Sequence, residues 1–314
     1  MKNRKWMIGI AAALLPLLCV SGCQATSKVA VKEDTIYIPG LTEEYHLAFL
    51  ADMHIVEESS DVPEEEYETV AQRKELFQSA DGTDSADMWS EMAGMLDGLG
   101  ADAILLAGDM VDFAANGTLS CLQEGLGKLE TPWMYVRADH DYGVWYTTME
   151  KEQAKALHRE LNGAENVVSM DLGEVLLVGV DNNTSQISKK ALKKVKKLFS
   201  MGKPVILMLH VPLESRIDDE LNQKSKEVWQ DRALVWGEDT FYEPNETTKQ
   251  FLELVYAKDS PVAEVLCGHL HFSWEGYLTE TVHERVADPA FTGAVELLTV
   301  TGKNRLTNRE YMVN

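Results

Sequence analysis

The stretch Leu47-Ala48-Phe49-Leu50-Ala51-Asp52-Met53-His54 decides how this chain folds. Its apolar residues follow one another without polar alternation, the pattern of a strand covered on both faces, and the run ends at once in a carboxylate and an imidazole. The same arrangement recurs along the chain. Residues 103–106 lead into Gly108-Asp109-Met110-Val111-Asp112, and residues 133–136 into Asp139-His140-Asp141. Residues 205–209 lead into His210, and residues 262–267 into Gly268-His269-Leu270-His271. Two further runs of strand length, 175–180 and 295–300, carry no such tail. Helix-period stretches at 85–99, 149–161, 187–199 and 247–256 fall between the runs. The alternation predicts an α/β fold with buried strands. No repeat or low-complexity linker interrupts it, so a single domain is expected over residues 35–314.

The tails carry the chemistry. Five of the eight histidines lie in these clusters, each beside an aspartate or a second histidine or directly behind a strand. Side chains at i and i+2 of an extended segment point to one side, so Asp52 with His54, and His269 with His271, are expected to aim at one cleft beyond the carboxyl ends of the strands. Carboxylate with neutral imidazole is a ligand set for divalent transition metals such as Mn, Fe or Zn. Asp52, His54, Asp109, Asp139, His210, His269 and His271 offer more ligands than one ion takes, which fits two ions sharing a bridging carboxylate.

Charge narrows the partners. The 314 residues include 29 basic and 51 acidic side chains, a formal net charge of −22. Such an excess repels a phosphate backbone, so no nucleic-acid-binding surface is expected. The six lysines of 187–199 stand opposite an apolar stripe of Ile187, Ala191, Val195 and Leu198, and read as the solvated face of a packed helix. Four cysteines are too few for a disulfide scaffold, and Cys267, within an apolar run, reads as a buried inert thiol.

The amino terminus reads as a targeting segment. Lys2, Arg4 and Lys5 precede an uncharged stretch, 6–20, the n-region and h-region of an export signal. Val20-Ser21-Gly22-Cys23 resembles the bacterial lipobox, which implies a signal peptide over 1–22 and lipidation of Cys23. Residues 23–34 are then a tether, and the protein is expected to be extracytoplasmic and attached to the membrane through its lipid. Loss of Lys2, Arg4 and Lys5 leaves 26 basic against 51 acidic residues, a formal −25. Residues 214–243, polar but containing Trp229, Trp236, Phe241 and Tyr242, read as an insertion that could serve as a lid.

Taken in order, Asp-x-His, Gly-Asp-x-x-Asp, the Asp139-His140-Asp141 triplet, a lone His and Gly-His-x-His resemble the calcineurin-like metallophosphoesterase superfamily, over nearly the whole body of the chain. The resemblance implies a four-layer αββα sandwich with a dinuclear metal site at the carboxyl ends of the strands. It implies Asp52, His54 and His271 on the first metal, Asp139, His210 and His269 on the second, and Asp109 bridging them. His140 would face the leaving oxygen of the substrate, with Asp112 orienting it, and Asp141 would be structural. The implied reaction is hydrolysis of a small phosphorylated substrate by a hydroxide shared between two divalent cations, with no covalent phosphoenzyme. One departure stands out: Asp139 occupies a position where the superfamily usually has asparagine. It adds a negative charge and removes an amide donor, which leaves a second reading open, a non-catalytic or weakly active metal-binding lipoprotein of the same fold. Tyr142, Trp145, Tyr146 and Trp274 flank the motifs and read as packing residues.

Overall fold

The computed structural model describes residues 28–162, 166–182 and 186–303. The export signal and Cys23 lie outside the described residues.

Among the described residues eleven strands form two sheets. Strands β1 (Ala30–Tyr37), β2 (Tyr45–Leu50), β3 (Ala103–Leu106), β4 (Trp133–Tyr135) and β11 (Ala294–Thr301) make the first, in the order β1-β11-β2-β3-β4. The second contains β5 (Val167–Asp171), β6 (Leu176–Val180), β7 (Val205–Met208), β8 (Val262–Cys267), β9 (Trp274–Tyr277) and β10 (His283–Val286), in the order β5-β6-β7-β8-β10-β9. Seven helices accompany them: α1 (Tyr67–Leu76), α2 (Ser85–Met95), α3 (Asn116–Leu126), α4 (Lys151–Asn162), α5 (Lys189–Phe199), α6 (Glu220–Val228) and α7 (Glu246–Tyr256).

The layers follow from the period of two along a strand. Leu47 and Phe49 of β2, and Leu105 of β3, face Leu177, Ile206, Met208 and Leu266 of the other sheet in a core between the sheets. Their neighbours Ala48, Leu50, Ile104 and Leu106 turn the other way and pack with Met88, Trp89 and Met92 of α2 and Leu122 of α3. On the second sheet Val205, Leu207 and Val265 meet Leu192 and Val195 of α5 and Phe251 and Val255 of α7. Helix, sheet, sheet and helix are thus stacked around three apolar layers, the αββα sandwich expected. Unbroken apolar runs were needed because each central strand is covered twice.

The boundaries differ from expectation in places. Ala30 to Asp34, read as the end of a tether, belong to β1, which pairs in parallel with β11 from Ala30↔Ala294 to Tyr37↔Thr301. Lys32 and Glu33 on an exposed edge made this strand look like linker, and such charges are how an edge strand avoids pairing with other chains. The segment 214–243 does not simply lie over the surface. Leu221, Val235 and Trp236 are fully buried in the core beside the second sheet, and Leu213 bridges to Trp236. Five of the six lysines of α5 face solvent and Ala191 and Val195 are buried, as expected; Lys194 is half-buried and donates to the Val167 carbonyl. Cys121 and Cys267 are both free thiols, and Cys267 is buried. Among the described residues no helix is long and apolar enough to cross a membrane.

Candidate metal centre

Asp52 and His54 follow β2, Asp109 and Asp112 follow β3, and Asp139 and His140 follow β4. From the facing sheet, His210 follows β7 and His269 and His271 follow β8. The carboxyl ends of both sheets therefore contribute, and their cross-links are direct. The Asp52 carboxylate accepts the His269 backbone N–H at 2.8 Å, and His210 Nδ1 donates to the Ala107 carbonyl at 2.8 Å.

The backbone at these positions is not extended. Asp52, His54, Asp109, His269 and His271 have φ of 57°, 46°, 50°, 75° and 54°, a left-handed region that costs a non-glycine residue on the order of 1–3 kcal/mol. The same-side expectation still holds, by a different route: Met53 and Leu270, between the paired ligands, are completely buried in the flanking cores, and the ligands turn to the cleft. Two glycines make room. A Cβ on Gly268 would lie 2.4 Å from the Ala51 Cβ and 2.5 Å from the Asp52 carboxylate, and one on Gly108, whose φ is +88°, would lie 2.9 Å from His210 Nδ1.

Three groups of ligand atoms converge, each with its members within 4.8 Å of one another: Asp52, His54 and His271; His54, Asp109 and His140; Asp109, His210 and His269. Asp109 belongs to two of them and sits at the centre, 3.2 Å from His210 Nε2 and 3.6 Å from His54 Nε2. Asp139 is exposed at the start of a short 3-10 turn and belongs to none of the three.

The donor set fits cations. Asp52 Oδ1 and Asp109 Oδ1 are buried and accept no hydrogen bond among the described residues, an arrangement that is costly unless a cation takes the lone pairs. Imidazole nitrogens face one another, His54 Nε2 and His271 Nε2 at 3.0 Å and His210 Nε2 and His269 Nδ1 at 3.2 Å. Because a carbonyl can only accept, His210 carries a proton on Nδ1, which leaves Nε2 as the nitrogen that would face a cation. Without cations the charges are in conflict. Burial pushes Asp52 up to about 6, whereas Asp109, which burial alone would also raise, is held far below the carboxylate range by His210 and His140. Burial would lower His210, but Asp109 outweighs it and lifts the group to about 10. His269 next to it is pushed down to about 3 by burial and by His210.

His140 Nδ1 donates to the Asp112 carbonyl at 2.7 Å and lies 3.1 Å from the Asp112 carboxylate. Against the effect of burial, Asp109 and Asp112 raise His140 to about 10, which keeps it cationic at neutral pH. Asp112 also accepts from His54 Nδ1 at 3.2 Å, so one carboxylate orients both rings. Asp141 has the structural part expected of it: it is buried and accepts the backbone N–H groups of Asp109, Met110, Val111 and Ala138.

Several residues of the site were not legible in the sequence. Arg73 of α1 donates to both oxygens of Asp112, at 2.8 and 2.6 Å, and its guanidinium lies over Phe77. Phe77 in turn stacks on His54 with ring centroids 4.2 Å apart, and Phe291 packs edge-on to both rings. From the 214–243 segment, Trp229 donates to the Leu270 carbonyl and packs on His271, while the Tyr242 hydroxyl lies 3.1 Å from His269 Nε2. Trp145, read as packing, is half exposed and edge-on to His140 at 5.0 Å.

Fold and site together define a dinuclear metal-dependent phosphoester hydrolase. The profile of the calcineurin-like phosphoesterase family matches residues 45–273, and the chain belongs to that family. No curated protein matches. Among solved structures the chain is similar to a dimetal phosphatase from Danio rerio, at 10% identity and a TM-score of 0.47, over 79% of this chain and 88% of that one. It is also similar to a purple acid phosphatase from yellow lupin, at 14% identity and a TM-score of 0.48, over 82% of this chain and 45% of that one. A third is a phosphopantetheinyl hydrolase from Mycobacterium tuberculosis, at 11% identity and a TM-score of 0.41, over 78% of this chain and 90% of that one.

Proposed function

We propose that this protein hydrolyses small phosphorylated substrates outside the cytoplasm, held at the membrane by lipid on Cys23. The observation that carries the catalytic reading is the convergence of three ligand groups on Asp109 and Asp52, each with a buried carboxylate oxygen that no donor satisfies. Asp52, His54 and His271 would hold one ion and His210 and His269 the other, with Asp109 shared; Asp139, outside the three groups, would be a further ligand. When bound, a pair of divalent ions lowers the pKa of water and neutralises charge on the oxygens of an in-line displacement at phosphorus.

The protein's own residues do the rest. His140, partly exposed, is placed to neutralise or protonate the departing oxygen, and Asp112, which accepts its Nδ1–H, fixes the plane of the ring. Arg73 in turn fixes Asp112. Asp139 favours a reading with little or no turnover to the extent that its charge repels an anionic substrate. Metal analysis of the manganese-loaded protein, together with hydrolysis of an aryl phosphodiester and monoester by wild type and Asp139→Asn, separates the two readings. Turnover by wild type supports the enzyme; two bound metals with no turnover in either protein overturns it in favour of a metal-binding lipoprotein. The anchor is tested separately by metabolic labelling with a fatty-acid analogue, which should mark the wild type and not Cys23→Ala; an unlabelled wild type overturns the anchor.

A further inference from the structure

Beside the metal centre lies a second cleft, of about 650 Å³, whose charge is opposite to that of the molecule. Lys151, Lys155 and Arg159 of α4 line it. They are spaced at i, i+4 and i+8 and so present one face of the helix. The adjoining face of α4 is anchored: Ala154 and His158 are buried, and His158 hydrogen-bonds the Asp141 carbonyl. Arg137 forms the floor, 3.2 Å from Asp181 and stacked over the Tyr142 ring. Among the described residues that line it, Asp139 and Asp181 are the only carboxylates against the four cations Arg137, Lys151, Lys155 and Arg159, in a chain of formal charge −22. Lys155 also pairs with Glu152, an exposed contact that water screens.

The cleft adjoins the metal centre. Asp139 and Trp145 line it, and Trp145 packs against His140, the residue placed at the leaving oxygen. A substrate whose phosphoester lies at the ligand cluster therefore extends its leaving arm past Trp145 towards α4. We infer that Lys151, Lys155 and Arg159 form a recognition site for a second anionic group on the leaving arm, so that the preferred substrates are phosphoesters carrying a further phosphate or comparable anion. The inference rests on the hydrolase reading for the direction of the arm, though the cleft's affinity for an anion does not. Elsewhere the acidic surface repels such molecules, and the cleft gives them one place where attraction wins.

The test uses the full-length, manganese-loaded protein and a series of alkanediol bisphosphates of increasing spacer length, compared by calorimetry with the alkyl monophosphates of matching length. Wild type should bind the bisphosphate of the best spacer at least about tenfold more tightly than its monophosphate, as expected for charge-assisted contacts. In the triple variant Lys151→Ala/Lys155→Ala/Arg159→Ala that preference should vanish while monophosphate affinity is retained. These side chains project from a helix face, and an unchanged circular dichroism spectrum checks the fold of the variant. A wild type with no preference at any spacer length, or a preference that survives in the variant, overturns the inference. Turnover of aryl phosphoesters is measured on the same samples. Turnover without the preference removes the recognition site and leaves the hydrolase; the preference without turnover removes the hydrolase and leaves an anion-binding cleft.

Discussion

At the residue scale the centre depends on side chains that touch no metal. Asp112 is completely buried and receives Arg73, His54 and His140 together. Replacing Arg73 by Met keeps an apolar stem of similar reach but removes the guanidinium from over Phe77 and leaves a buried carboxylate short of its strongest partner, a loss that typically costs about 3–5 kcal/mol. The Arg73→Met protein should melt at a lower temperature, and its kcat should fall about 10–100-fold with less change in KM, as for other outer partners of catalytic sites. Arg73→Lys should recover little, because an ammonium cannot reproduce the two-point contact. The pH profile of kcat/KM distinguishes positioning from plain destabilisation. If Arg73 orients the pair, the basic limb attributed to His140 moves; a profile of unaltered shape assigns Arg73 to stability alone.

At the scale of elements, the strand-to-loop junctions do the precise work. Gly268 closes the gap between the two sheets, with the Asp52 carboxylate accepting the next residue's N–H. Gly268→Ala should therefore reduce both metal content and thermal stability, whereas Gly202→Ala, in a turn with nothing within 4 Å, should leave metal content unchanged. Metal analysis of the two variants side by side reads this out. These junctions were legible in the sequence because each follows an unbroken apolar run, and a strand that ends in Asp-x-His or Gly-His-x-His exposes its ligands at a predictable end. The aromatic and cationic wall was not. Arg73 and Phe77 come from α1 and its end, a helix with no buried residue and no apolar stripe to announce it. Trp229 and Tyr242 belong to a segment without periodicity, where aromatic residues mark only that something is covered. Strand β1 was missed for a related reason: it lies at the sheet edge, and the charges that protect an edge look in sequence like linker.

At the scale of the whole molecule, two measurements report on how stability is distributed. Chelation should lower the melting temperature, and added manganese should restore it in a concentration-dependent way, because ions that bind only the folded state stabilise it by mass action. The second concerns Glu284 in the core of the second sheet, whose carboxyl burial raises to about 8 although it accepts the Leu213 N–H and lies near the Cys267 thiol. The unfolded chain releases this proton near the ordinary glutamate value while the folded protein keeps it. Stability is therefore fully present below the ordinary value and drains away as pH rises towards about 8. Glu284→Gln cannot lose that proton, so its melting temperature relative to wild type should rise between pH 5 and about 8 and then level off; a constant difference would contradict the assignment. The order β1-β11-β2 has one more consequence. The last described strand is inserted between the first two, so β1 has no partner in its sheet until residues 294–301 are available. Docking of the amino-terminal strand is therefore postponed until nearly the whole chain has been made, whereas β2, β3 and β4, which lead into Asp52, Asp109 and Asp139, can pair with one another before then.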